Sequence, residues 1–376
     1  MITVICEWLI TSHLIIYYNR LKMYYFTLVA LLFYSYTLID PNITLINHPL
    51  WTLFRNSMVQ FGYYHRDVST IVFITIMALL TLIHVRYVKK KVSVSPMRIA
   101  VYTGLILLLS YPFLSRDLFN YMFDARILTF HHANPYTHAA LDFADDQWLR
   151  FMHWTHRSYP YGPSFLPLTL IPSFLSMGKF ILNLILFKGM WVLFYLWGVY
   201  MLTKIKKEYG LYFATHPLIA IEGLVNNHND LIAVVLALAG VYYASSRASS
   251  LVGFVASAGI KYITLPAALL IFAKKHKAIP YVVTGLLTCT IAYITITGEF
   301  QQWYMLNFFV LLPFLYKYFV SSWLLTFALL VSYYPFTLYG EWDSPEKLFL
   351  KHTVIVVGLI CYALQLLLRA KRPILR

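Results

Sequence analysis

The chain has 376 residues, 60% of them hydrophobic and 12% charged, with a formal charge of +15. Apolar runs of about 17 to 25 residues recur along it, long enough to cross a bilayer as helix and too unbroken for the alternating strands of a barrel. That pattern excludes a soluble fold and predicts an all-α polytopic membrane protein. The basic residues fall in short clusters between the runs, which excludes the continuous basic face of a nucleic-acid binder.

Residues 2 to 18 are apolar but hold Glu7 and His13, with no small-residue cleavage site after them. They read as a first span or interfacial helix, or are lost to a start at Met23. Spans follow at about 22 to 39, 67 to 85 and 97 to 114. The clusters at Arg20 and Lys22, Arg86 to Lys91 with Arg98, Lys204 to Lys207, Lys274 to Lys277 and Arg369 to Arg376 mark cytosolic ends by the positive-inside rule. Acids lie elsewhere: five of the fifteen fall between Asp117 and Asp146, so that segment is predicted to face outward.

Residues 115–161 are too long for a turn and apolar enough to form interfacial helices. FLPLTLIPSFLSM follows, broken by Pro167 and Pro172 and too short to cross. Further spans are predicted at about 180 to 203, 211 to 226 and 230 to 246, then a broken hairpin with Lys261 at its tip. The runs at 278 to 296, 305 to 338 taken as two, and 352 to 369 bring the count to ten to twelve membrane segments or half-inserted helices in one integral domain, 1–376. Cys6, Cys289 and Cys361 lie in separate apolar runs, so neither a disulfide framework nor a thiolate metal site is suggested.

Three constellations carry chemistry. As a helix, SRDLFNYMFDARILTFHHANPYTH puts Asp117, Asn120, Tyr121, Asp124 and His131 near one stripe, with Asp117 in the first turn after Ser115 as a candidate N-cap. A carboxylate there stays ionised and suits a general base; equally, it serves as a plain first-turn acid. Asp124 suits an ion pair or solvent as well as a ligand.

PLIAIEGLVNNHND repeats Glu222, Asn226, Asn229 and Asp230 at helical spacing, and a carboxylate inside an apolar run should face the bundle interior, toward packing partners or a ligand hydroxyl. Lys261, at the tip of a broken hairpin, suits a phosphate as a point charge or snorkels to headgroups. His131, His132, His138, His153 and His156 loosely resemble a histidine box but are too few and too widely spaced for a membrane di-iron site.

In this order, SRDLFNY, NPY at Asn134 to Tyr136, YPYGPSFLPL, PLIAIEGLVNNHND and AGIKYITLPA resemble the multispanning GT-C glycosyltransferases, with the closest likeness to prokaryotic mannosyltransferases that use polyprenyl-phosphate mannose. The resemblance covers roughly residues 100 to 270. It implies a plasma-membrane hexosyltransferase with an extracytosolic catalytic loop at 115–161, Asp117 as base, a polyprenyl-phosphate sugar as donor and an outward-facing glycan or glycolipid as acceptor. Transfer by single displacement inverts the anomeric centre.

For the leaving phosphate the candidates are Arg116, Arg126 and Lys261; for sugar and acceptor they are Asp124, Asn134, Tyr136, Tyr161, Glu222, Asn226, Asn227, His228, Asn229 and Asp230. No cofactor is certain, and the acids and histidines of the loop permit a divalent metal without forming a cage. In the superfamily the catalytic loop follows the first span, whereas two or three runs precede it here, leaving Asp40 and Asp67 as rivals that lack a following NPY. The alternative function is a transporter or flippase of a lipid-linked saccharide.

Overall fold

The computed structural model describes residues 21–89, 94–342 and 344–370. These residues form helices and turns with no strand among them. The expectations for residues 2 to 18, and for Lys90, Lys91 and Lys371 to Arg376, lie outside the described residues. In chain order the helices that matter here are α1 (21–34), α2 (Pro49–Val59), α3 (Arg66–Lys89), α4 (Pro96–Leu108), α5 (Asp117–Thr129), α6 (Phe165–Leu175), α7 (Phe180–Ile205) and α8 (Lys207–Thr215). After a π-helical turn at Ile219–Val225 come α9 (Asp230–Tyr242), α10 (Arg247–Ala258), α11 (Ile279–Thr297), α12 (Leu312–Phe319), α13 (Trp323–Val331), α14 (Tyr334–Tyr339) and α15 (Pro345–Ala370).

By length and composition, α3, α7, α11 and α15 can each cross a membrane. Among the described residues two bent helix pairs meet the same length and composition when each is taken together: Ile219–Val225 with α9, at 109°, and Gln302–Phe319 with Trp323–Tyr339, at 120°. The apolar helices α4 and α6 and the 3-10 helix Tyr262–Phe272 are shorter. At a rise of 1.5 Å per residue, α6 reaches only about 16 Å, half the hydrocarbon thickness, in line with its two prolines.

Proline also moves two boundaries from where hydropathy alone put them. Residues preceding proline avoid the α region. The run expected to span 97 to 114 is helical only to Leu108, ahead of Pro112, and the one expected at 211 to 226 is broken at His216, ahead of Pro217, before helix resumes to Val225. The Lys261 hairpin is as expected: α10 leads up to it and Tyr262–Phe272 away from it.

The core gathers around α9, whose residues from Asp230 to Gly240 are buried almost without interruption. A helix apolar on every side must be enclosed, and α9 packs against α10, α7 and the 3-10 helix Gln302–Leu311. At the periphery, α11 exposes Tyr281, Val282 and Ile296, and α15 exposes Phe349, Val356 and Leu364, the faces offered to lipid.

The stripe expected on α5 is not an interfacial one. Every residue from Leu118 to Ile127 is buried, because the following segment folds back over the helix: Asn120 Oδ1 accepts the backbone N–H groups of His153 (3.1 Å) and Trp154 (3.5 Å).

Candidate active site

Asp117 opens α5, and its side chain is about one-fifth exposed, at 20%. The helix is capped one residue later than expected, at Arg116, while Ser115 Oγ accepts the Asp117 N–H at 3.1 Å. Opposite Asp117 stands His228, from the four-residue break between the π turn and α9. Its Nδ1 lies 3.3 Å from Asp117 Oδ2 and its Nε2 lies 3.4 Å from Glu222 Oε2. These are ion-pair distances without hydrogen-bond alignment, since neither ring nitrogen has an aligned partner. Two carboxyl groups thus approach a single imidazole ring, one at each nitrogen. Burial pushes the Asp117 carboxyl up, but His228, with Lys261 and Arg157 further off, outweighs it and holds the group below its ordinary value.

The break itself is built with care for its main chain. Asn227 adopts φ +57°, a left-handed conformation that asparagine tolerates better than most residues. Lys188, buried in the middle of α7, donates to the Leu224 (3.1 Å) and Val225 (3.4 Å) carbonyls at the end of the π turn, to Asn227 Oδ1 (2.9 Å) and to Ser110 Oγ (3.3 Å). Trp191, one turn on, donates to the His228 carbonyl at 3.0 Å. Asn226 ties the break to the approach of α5: its amide donates to Glu222 Oε2 at 3.0 Å and its oxygen accepts Leu114 N–H at 3.3 Å. Trp303 lies flat on the His228 ring, 3.9 Å between centroids.

Lys261 comes to the same corner, bonded to Asp230 Oδ2 at 2.7 Å, while Asn307 donates to the other Asp230 oxygen at 2.7 Å. Its ammonium also lies over the Tyr304 ring. The YPYGP run docks onto the hairpin tip, with Gly162 N–H donating to the Ile260 carbonyl and Ser164 N–H to that of Gly259. A Cβ on Gly162 would sit 2.3 Å from the Gly259 carbonyl oxygen, so only glycine permits this approach. Tyr161 is thereby held edge-on to Tyr121, 5.1 Å between centroids.

Other expected residues stand apart. Arg116 is exposed beside Tyr63 and Tyr111. Arg126 is nine residues beyond Asp117 along α5, about 14 Å by helical rise, and is paired with Asp146 at 2.6 Å rather than facing Lys261. Asn134 closes its own turn by accepting the Tyr136 N–H, and Tyr136 packs edge-on against Tyr159. Asp124 is buried on α5, and burial pushes its carboxyl up to about 8 despite the opposing pull of Arg157. Asn229 is buried with its amide nitrogen unpartnered, as is that of Asn227.

Four contributors were not anticipated: Lys188, Arg157, Trp303 and Asn307. A lone lysine in an apolar run is a recognisable flag; the other three lay in segments with no distinguishing pattern. Among the described residues no group of three histidine, cysteine, aspartate or glutamate side chains is placed to hold a metal ion.

Residues 39–293 match the family model described as alpha-(1->6)-mannopyranosyltransferase, N-terminal domain. No curated protein and no solved structure matches the chain.

Proposed function

The chain belongs to the alpha-(1->6)-mannopyranosyltransferase family and is a mannosyltransferase, and on that premise we propose that Asp117 is the base of an inverting transfer from a polyprenyl-phosphate mannose to an outward-facing glycan or glycolipid. The observation that carries the reading is the clamp on Asp117. A carboxylate one-fifth open to solvent faces a buried His228 whose second nitrogen faces Glu222.

In the proposed step Asp117 takes the proton of an acceptor hydroxyl as that oxygen bonds to the mannose C1. The bond from C1 to the phosphate oxygen breaks, and its electron pair leaves with the polyprenyl phosphate. A carboxylate held below its ordinary value is ionised throughout the neutral range, and a weak base suits a proton transfer that completes late, after positive charge has developed on the sugar. Lys261 and Arg157 are the cations whose field reaches Asp117, so they are suited to the negative charge on the leaving phosphate. Because Lys261 is already paired with Asp230, Arg157 is the freer of the two. The family favours transfer over the transport reading. An extracytosolic site is supported by the charge distribution along the chain, whose basic clusters lie away from the acids of residues 117 to 146.

The test is reconstitution with polyprenyl-phosphate mannose and mannoside acceptors. Asp117→Asn is expected to lower kcat about 10²- to 10⁴-fold with the fold intact. Equal transfer by the variant removes Asp117 from the mechanism.

A further inference from the structure

A cavity of about 160 Å³ lies at the other end of α5 from Asp117, between the last turn of that helix, the α6–α7 turn and Trp148. An apolar cavity of about 150 Å³ admits a benzene ring, so this one has room for a single six-membered ring. Its polar wall carries Arg126, the hydroxyls of Thr129 and Ser173, and Asn183. Asn183 is 1% exposed and its Oδ1 has no hydrogen-bond partner, a state that buried amides rarely tolerate without a ligand or water.

The charge balance argues against an anion. Arg126 Nε is bonded to Asp146 at 2.6 Å, which cancels its charge, and Asp146 also faces His131 at 2.8 Å. The guanidinium is held rigid between Phe130 (3.7 Å) and Trp148 (4.1 Å), with Nη1 toward the Gly178 wall. Fixed donors without net charge, paired hydroxyls, an amide and an indole wall together suit a neutral, hydroxyl-rich ring. The rim is different in character: Phe130, Phe174 and Met177 are all more than half exposed, an apolar margin over which an alkyl chain can lie.

We propose that this cavity is a saccharide subsite for a lipid-anchored acceptor, holding a sugar near the anchored end of the glycan while its growing end lies at Asp117. The separation is set by α5. Nine to twelve residues at 1.5 Å each place the cavity about 14 to 18 Å from the carboxylate along the helix, a gap bridged by a few sugar units. Short acceptors reach Asp117 without filling the cavity, so the subsite gives preference for longer, anchored glycans. The direction of the acceptor rests on the reading of Asp117 as base; the binding of a sugar does not.

The test uses the full chain in nanodiscs with two acceptors, an alkyl-anchored α-(1→6)-mannotetraose and free α-(1→6)-mannobiose. Asn183→Leu removes the amide, and Thr129→Val is a milder change of nearly equal volume. For each variant, KM for the anchored acceptor is expected to rise about tenfold, and its preference over mannobiose to fall by the same factor. Binding of the anchored tetrasaccharide is also measured in the Asp117→Asn background, where no transfer is needed, and is expected to weaken alike. Unchanged binding and preference in both variants overturn the subsite. So does an equal loss of preference in the unaltered chain when anionic phospholipid is left out of the nanodisc, which assigns the cavity to a phospholipid headgroup. Weakened binding in the variants of a chain that transfers to neither acceptor upholds the subsite and removes the donor reading instead.

Discussion

Asp124 shares α5 with Asp117 but has the opposite electrostatic fate. Burial pushes its carboxyl from an ordinary 3.8 up to about 8, with the Asp117 charge adding to the rise and Arg157 opposing it. An acid whose folded value lies above its unfolded one binds more protons when folded, so its contribution is intact below about pH 4 and is lost as pH rises toward 8. Asparagine keeps the neutral shape at every pH. Asp124→Asn is therefore expected to raise Tm by an amount that grows from about pH 4 to pH 8 and then levels off; a gain independent of pH would contradict the assignment. Lys188 allows a second test at this scale. Four oxygens converge on its ammonium, and Lys188→Met leaves the Leu224 and Val225 carbonyls buried without a donor. The expected loss is about 1–3 kcal/mol in an unfolding titration, together with reduced kcat as the break relaxes away from Asp117. The apolar run around Lys188 was legible as a span. Its partners were not, because two are backbone carbonyls, which have no residue-type signature, and all four lie far off in sequence.

At the scale of elements, the docking of residues 159–164 onto the Lys261 hairpin decides whether Tyr161 and Lys261 share a wall. The contact is backbone to backbone and depends on Gly162 lying against Gly259. Gly162→Ala forces the two strips apart and is expected to lower kcat/KM about tenfold or more while melting of the bundle moves little, since misplacement by an ångström is costly to a positioned reaction. A Tm fall as large as that of Lys188→Met would instead show the contact to be structural. The hairpin and its tip lysine could be read from sequence because helices that stop short leave a mark in hydropathy and in proline and glycine. The enclosure of α5 could not. Polar residues at helical spacing look the same whether they meet water or the backbone of a covering loop, and here Asn120 meets the His153 and Trp154 N–H groups.

For the whole molecule, span positions were readable because hydrocarbon imposes length and composition on each one separately. The corner around Asp117 was readable only in its pieces. It joins the start of α5, the break before α9, the hairpin tip and a 3-10 helix, and each join depends on packing that no single segment encodes. Two of the stabilising side chains, Trp303 against His228 and Asn307 on Asp230, lie beyond residue 293, where the family match ends. The order of manufacture then matters. A chain emerging from the ribosome delivers its carboxylates and imidazole well before the indole and amide that hold them, so the corner lacks these two supports until Gln302–Leu311 has been made.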